Sequence, residues 1–175
     1  MAKTSLHYAI QAAQELGIGS NPDWKLVADN SPILKFPDGV TKENRTYDGV
    51  MIKQADVNLL VYPLTIVKDE AGVKKDLAYY EPRYSPEGPA MGWSVLSTLH
   101  ARLGESDKAY DWFVKSYKPN EVPSFGVLSE TTSETNPYVA TGAEGMLKAV
   151  LNGFGGLDSK DSGIIQLKTK LPKKW

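Results

Sequence analysis

Lys53, Gln54 and Asp56 stand inside the otherwise apolar stretch of residues 52–64, where an ammonium, an amide and a carboxylate all need partners. Burying such groups without hydrogen bonds is costly. Two arrangements meet the demand. Lys53 and Asp56, three residues apart on a helix, can pair with each other, or the segment can line a cavity that takes a polar ligand. Downstream, residues 125–136 carry seven Ser, Thr or Glu side chains with little periodicity, which predicts a polar loop between two helices. Its glutamates, Glu130 and Glu134, are solvated loop carboxylates unless something else in the chain gives them work.

The chain as a whole narrows the chemistry. Its 175 residues, 41% hydrophobic and 23% charged, suit one domain with a real core. Twenty basic against 21 acidic residues leave a net charge of -1, and lysines cluster no further than the pairs at 74–75 and 173–174. This is not the electrostatic footprint of a nucleic-acid binder. No window approaches the roughly 18 apolar residues of a membrane span, and the opening residues lack the layout of a signal peptide. With no cysteine, disulfides, thiol nucleophiles and thiolate metal sites are excluded and any compartment is permitted; localisation stays open, a periplasmic or secreted parent being among the options.

The positioning elements are mostly helical. Residues 3–16 place Leu6, Ala9, Ile10, Ala13 and Leu16 on one face, with Gly17 as the stop. The first turn has no capping residue and carries Lys3 where anions are favoured, so it reads as a helix entered partway. A short helix follows near residues 23–28, then a long connection over 31–51 punctuated by Pro32, Pro37, Gly39 and Gly49. Helical patterning is predicted again over 52–62, limited by Pro63, and over 77–80, before the proline-rich stretch 81–89 that forbids regular structure. Pro89 opens a helix carrying Val95, Leu96, Leu99 and Leu103, stopped by Gly104. Ser106 is expected to cap a partner helix bearing Ala109, Trp112, Phe113 and Tyr117, completing an antiparallel hairpin. Trp93 and Trp112 suit packing within it, and His7 and His100 read as surface or packing positions. Asn136-Pro137 caps a last helix with Val139, Met146, Leu147, Val150 and Phe154 on its apolar face. Residues 164–171 then alternate like a strand, and one strand needs partners.

Four motifs stand in order: Lys53-Gln54-Ala55-Asp56-Val57, Tyr79-Tyr80-Glu81-Pro82-Arg83, Ser85-Pro86-Glu87-Gly88-Pro89-Ala90-Met91 and Thr141-Gly142-Ala143-Glu144-Gly145-Met146-Leu147. Together they resemble glycoside hydrolase family 65 over almost the whole chain. The resemblance implies a mainly α fold, part of an (α/α)6 barrel spanning residues 1–157, followed at 158–175 by a linker and the first strand of a C-terminal β-sandwich. It also implies inverting chemistry on an α-glucosidic disaccharide, with water or phosphate as the nucleophile, and calls for no metal and no cofactor. Inversion needs an acid on the leaving oxygen and a nucleophile on the opposite face, activated by a carboxylate base when that nucleophile is water.

Phosphorylases of the family follow the Tyr-Glu motif with a His and a serine pair that cradle phosphate. Here the corresponding residues are Tyr84-Ser85-Pro86-Glu87-Gly88-Pro89, and a phosphate dianion would meet carboxylates. The hydrolase branch is therefore expected, with kojibiose as the first substrate and trehalose as the second. By resemblance the general base lies about eleven residues before Thr141-Gly142, at Glu130, with Glu134 as the alternative. Lys53 and Gln54 carry over as ligands of the nonreducing glucose, hydrogen-bonding adjacent hydroxyls. Glu81 is placed near the sugar, with Arg83 as a partner that orders the proline-rich loop, and Asp56 is structural. The family's general acid precedes a helix resembling residues 1–16, so it is expected in the remainder of the parent chain, and the isolated piece is expected to be inactive. The competing readings are a disaccharide phosphorylase of the same family, a non-catalytic sugar-binding module and a helical-repeat interaction module. The last is suggested by the hairpin around Leu103 to Tyr110, which has no second copy at the spacing a solenoid requires.

Overall fold

The computed structural model describes residues 2–133 and 139–175, and the chain divides into two compact units, Met1–Arg45 and Thr46–Trp175. In the first unit α1 (Ala2–Glu15) packs on α2 (Pro22–Asn30). Ala13 and Ala28 are buried there. Asn21 caps α2 by accepting from the Asp23 amide at 2.9 Å, with Pro22 at the first helical position, the arrangement that satisfies an orphan donor at least cost. The connection beyond residue 31 is nonhelical as expected, tightened by a bridge between Lys35 and Thr41.

The second unit is organised around α4 (Ala90–Arg102), in which ten of thirteen residues are buried. Such a helix must touch neighbours on nearly every side, and it packs on α5 (Ser106–Lys115), on α6 (Ala140–Lys148) and on the wider π-helical winding Ala149–Phe154 that prolongs α6. Small residues make the approach close. A Cβ on Gly145 would fall 2.3 Å from Ser94 Oγ, and one on Gly142 would meet Leu128 Cδ1 at 3.3 Å. Between α4 and α5, Trp93 and Trp112 stack with centroids 5.4 Å apart, and Ser97 Oγ donates to the Ala109 carbonyl at 2.9 Å. The tryptophans thus pack as the sequence predicts. At the far end Phe113, Phe154 and Trp175 form an aromatic cluster, over the fully buried Ala101 and Ala109.

Several local expectations are overturned. No helix spans 52–62: Ile52 bridges Tyr84 in extended form, and a single 3-10 turn at Asn58–Leu60 is all the helix that follows. Ile52 spends its backbone groups on the neighbouring segment, accepting from Ser85 and donating to Arg83, so they are unavailable for a helical ladder. Helix α3 begins well before residue 77, at Glu70–Tyr80, because Asp69 caps it by accepting from the Gly72 amide at 2.6 Å. The 81–89 stretch still fits one 3-10 turn, Glu81–Arg83. Ser106 is the first residue of α5 and supplies no capping bond. The final strand is shorter than predicted and has its partner in this chain. Strand β4 (Gly163–Gln166) pairs antiparallel with β3 (Leu157–Lys160) in a tight hairpin, and a second small pair joins β1 (Glu121–Val122) to β2 (Val127–Leu128). No described helix is long and apolar enough to cross a membrane.

Candidate functional site

Two segments far apart in sequence are pinned side by side by their backbones. The first is residues 52–54. Ile52 N donates to Arg83 O at 2.8 Å and Ser85 N to Ile52 O at 2.9 Å, which sets Lys53 beside the proline-rich loop. Tyr84, the residue between those contacts, is anchored beneath it. Its hydroxyl donates to Asn58 Oδ1 at 3.1 Å and its ring lies against Trp93. Burial pushes the Tyr84 phenol far above its usual range, with Asp56 and Glu81 adding to the effect, so the hydroxyl stays a neutral donor.

The second segment is β2 and the turn after it. Asn120, buried at the end of the α5 region, donates from Nδ2 to the carbonyls of Ser129 and Glu130 at 3.2 and 3.0 Å. Ser129 N returns a bond to Asn120 O at 2.8 Å, and Ser129 Oγ reaches the Thr131 carbonyl at 2.7 Å. On the other side stands Gly88, at φ +108°, where a Cβ would approach the Glu130 carbonyl to 3.1 Å. A residue with a side chain would be strained there and crowded as well. Val139 N donates to Leu128 O at 3.0 Å, and Gly142 rests on Leu128, so the Thr141-Gly142 motif of α6 buttresses the strand that delivers Glu130.

The outcome is a contact between residues 77 apart: Lys53 Nζ lies 3.4 Å from Glu130 Oε1, with side chains 60% and 46% exposed. Lys53 thus finds Glu130, not Asp56, as its ion-pair partner. An exposed pair at this distance contributes about 0–1 kcal/mol, so its interest is placement and not stability. Gln54 is exposed next to it, as is Asp56. A recess between α4 and α6, lined by Tyr62, Met91, Thr141 and Glu144 among others, includes neither Lys53 nor Gln54. The alternative glutamate, Glu134, lies outside the described residues, as does the Asn136-Pro137 cap.

Glu81 has a different setting from the one expected. It does not pair with Arg83, whose guanidinium donates to the Gly49 and Tyr79 carbonyls and covers the Tyr79 ring. Glu81, 13% exposed, faces His100 Nε2 at 2.5 Å and Lys108 Nζ at 2.9 Å. Burial pushes its carboxyl up, but the bonds from His100 and Lys108 outweigh burial and hold it below the usual carboxylate range. His100 is therefore more than a packing residue. Sequence reasoning missed this cluster because its members come from a 3-10 turn, the end of α4 and the start of α5, with no shared spacing to connect them. The one available signal was a histidine at a position where α4 is otherwise buried.

The profile of the glycosyl hydrolase family 65 central catalytic domain matches residues 28–122, and the chain belongs to that family. Among its relatives, a kojibiose hydrolase of Mucilaginibacter mallensis is 54% identical over 175 residues, covering 99% of this chain and 26% of the relative. A kojibiose hydrolase of Flavobacterium johnsoniae is 46% identical, covering 98% and 25%. An acid trehalase of Emericella nidulans is 33% identical, covering 98% and 17%. The chain thus spans about a quarter of the length of the kojibiose hydrolases it matches.

Proposed function

We propose that the chain supplies the base-bearing side of the active site of an inverting α-glucosidase that hydrolyses an α-linked glucose disaccharide, kojibiose first and trehalose second. The observation that carries this reading is the Lys53–Glu130 contact. The two residues belong to segments that a family resemblance singles out separately, as sugar ligand and as base, and the fold brings their charged ends within 3.4 Å. In this mechanism Glu130 takes a proton from the attacking water as its oxygen reaches the anomeric carbon. Such assistance contributes about 10² to 10⁴ in rate. Lys53 has three donors; with one turned to Glu130, the others are free for glucose hydroxyls, and Gln54 offers an amide alongside. The proton for the leaving oxygen comes from a carboxylic acid in the remainder of the parent chain, on the opposite face of the sugar. The parent completes an (α/α)6 barrel over residues 1–157, and residues 158–175 lead into its β domain. No metal or cofactor enters the scheme.

We read Glu81 as a support of the loop in place of a sugar ligand, a reading favoured by the contacts of its carboxylate with His100 and Lys108. The experiment is an assay of the whole protein on kojibiose, trehalose and other α-glucosides, with and without inorganic phosphate, following the anomer released by proton NMR. Release of β-glucose from kojibiose without phosphate is expected. Phosphate-dependent release of a glucose 1-phosphate, or retention of configuration, would overturn the reading.

A further inference from the structure

His100 is 2% exposed and touches two carboxylates at once: Nε2 is 2.5 Å from Glu81 Oε1 and Nδ1 is 2.6 Å from Glu105 Oε2. An ionised carboxylate only accepts hydrogen bonds, and a neutral imidazole donates from one nitrogen while presenting a lone pair at the other. Both contacts can be hydrogen bonds only if the three groups share one extra proton. That proton does not belong on Glu81, because Lys108 Nζ also binds it, at 3.1 Å from Oε1 and 2.9 Å from Oε2, and an ammonium needs an acceptor. Glu105 is the more exposed of the two carboxylates, at 39% against 13% for Glu81. Lys74 of α3 bears on Glu105 from a distance while pairing with Glu70, and Tyr84 senses Glu81. At nitrogen–oxygen separations of 2.5 and 2.6 Å there is room between the partners for a hydrogen and for nothing larger.

We propose that His100 is a positioning residue: as an imidazolium it clamps Glu81 to Glu105 and so fixes the turn from which both Lys53 and Glu130 are aligned. The mechanical path is short. Glu81 opens the turn Glu81–Arg83, Arg83 and Ser85 hold Ile52 and with it Lys53, and Gly88 at the end of the same loop backs the Glu130 carbonyl. The clamp needs its proton: without it, one of the two short nitrogen–oxygen contacts of His100 has no hydrogen to share. Its catalytic consequence rests on the reading of Glu130 as the base; its existence does not.

Glu105→Gln separates the two. A glutamine amide can donate to Nδ1 while Nε2–H donates to Glu81, so the neutral imidazole then satisfies both neighbours. In the whole protein, the thermal midpoint of the unmodified form is expected to fall by about 1 °C or more between pH 6 and 9 relative to that of Glu105→Gln. Nitrogen NMR of labelled histidine is expected to show both His100 nitrogens protonated at pH 6. On kojibiose, kcat of the unmodified enzyme should decline on the alkaline side by about tenfold more than that of the variant, with KM moving less. Parallel stability profiles, or a singly protonated His100 at pH 6, would overturn the proposal. So would identical alkaline limbs of kcat. Absence of hydrolysis by every form, with the stability difference intact, would overturn the reading of Glu130 and leave the clamp standing.

Discussion

Lys53 and Glu130 meet at 3.4 Å with about half of each side chain in solvent, whereas His100 is almost wholly buried with a carboxylate within 2.6 Å of each ring nitrogen. The two clusters sit at opposite ends of one loop and are built on opposite principles. At the exposed pair the backbones are fastened, by Asn120 and Gly88 for Glu130 and by the Ile52 bridge for Lys53, while the side chains stay loosely engaged. In the proposed roles, a base that takes a proton from water and a ligand of glucose have to be placed without being used up. At His100 the side chains themselves are engaged in contacts with one another, which suits a fastening.

Replacing the members of each cluster should expose that difference. The largest loss of stability is expected from His100→Ala, which leaves Glu81 with Lys108 as its remaining partner and opens a buried gap; breaking a buried pair costs up to about 3–5 kcal/mol, measurable by urea denaturation of the whole protein. Since the folded state holds the Glu81 carboxyl below its usual range, that residue adds stability above the ordinary carboxylate range and loses it as pH falls through the lowered folded value. The acid limb of the stability profile should therefore flatten in Glu81→Gln. A smaller effect is expected from Gly88→Ala, where the positive φ and the approach to the Glu130 carbonyl together cost about 1–3 kcal/mol, with a fall in kcat because the base is displaced. Lys53→Met should change stability by less than about 0.5 kcal/mol yet weaken binding of the glucose unit, seen as a raised KM. A large stability loss in Lys53→Met, or none in His100→Ala, would erase the contrast between the two clusters.

The hairpin of α4 and α5 was legible because its signals are local. Pro89 and Gly104 bound one helix, and the apolar spacing of Leu96, Leu99, Ala109 and Phe113 declares the packing faces that the structure buries or half-buries. Residues 52–62 misled because their apolar content is equally consistent with a helix and with an extended segment held by a distant strand, and the decision belongs to Arg83 and Ser85, about thirty residues away. The partner of β4 was missed because β3, with Asp158, Ser159 and Lys160 among its four residues, carries no strand signal of its own. Its pairing is set by the tight turn at 161–162 and the anchoring of Leu157 by Asn152 and Arg102. Lys53 and Glu130 could be chosen from motifs, but their contact could not be read from spacing, since they stand 77 positions apart with the whole of α3, α4 and α5 between them.

The most direct test of the account is the steady-state kinetics of Glu130→Gln in the whole protein with kojibiose as substrate. An amide keeps the size of the side chain and removes its capacity to take a proton. The account predicts kcat lower by about 10² to 10⁴, with KM and the thermal midpoint little changed. Undiminished kcat in a folded variant would contradict it and remove Glu130 from the role of base.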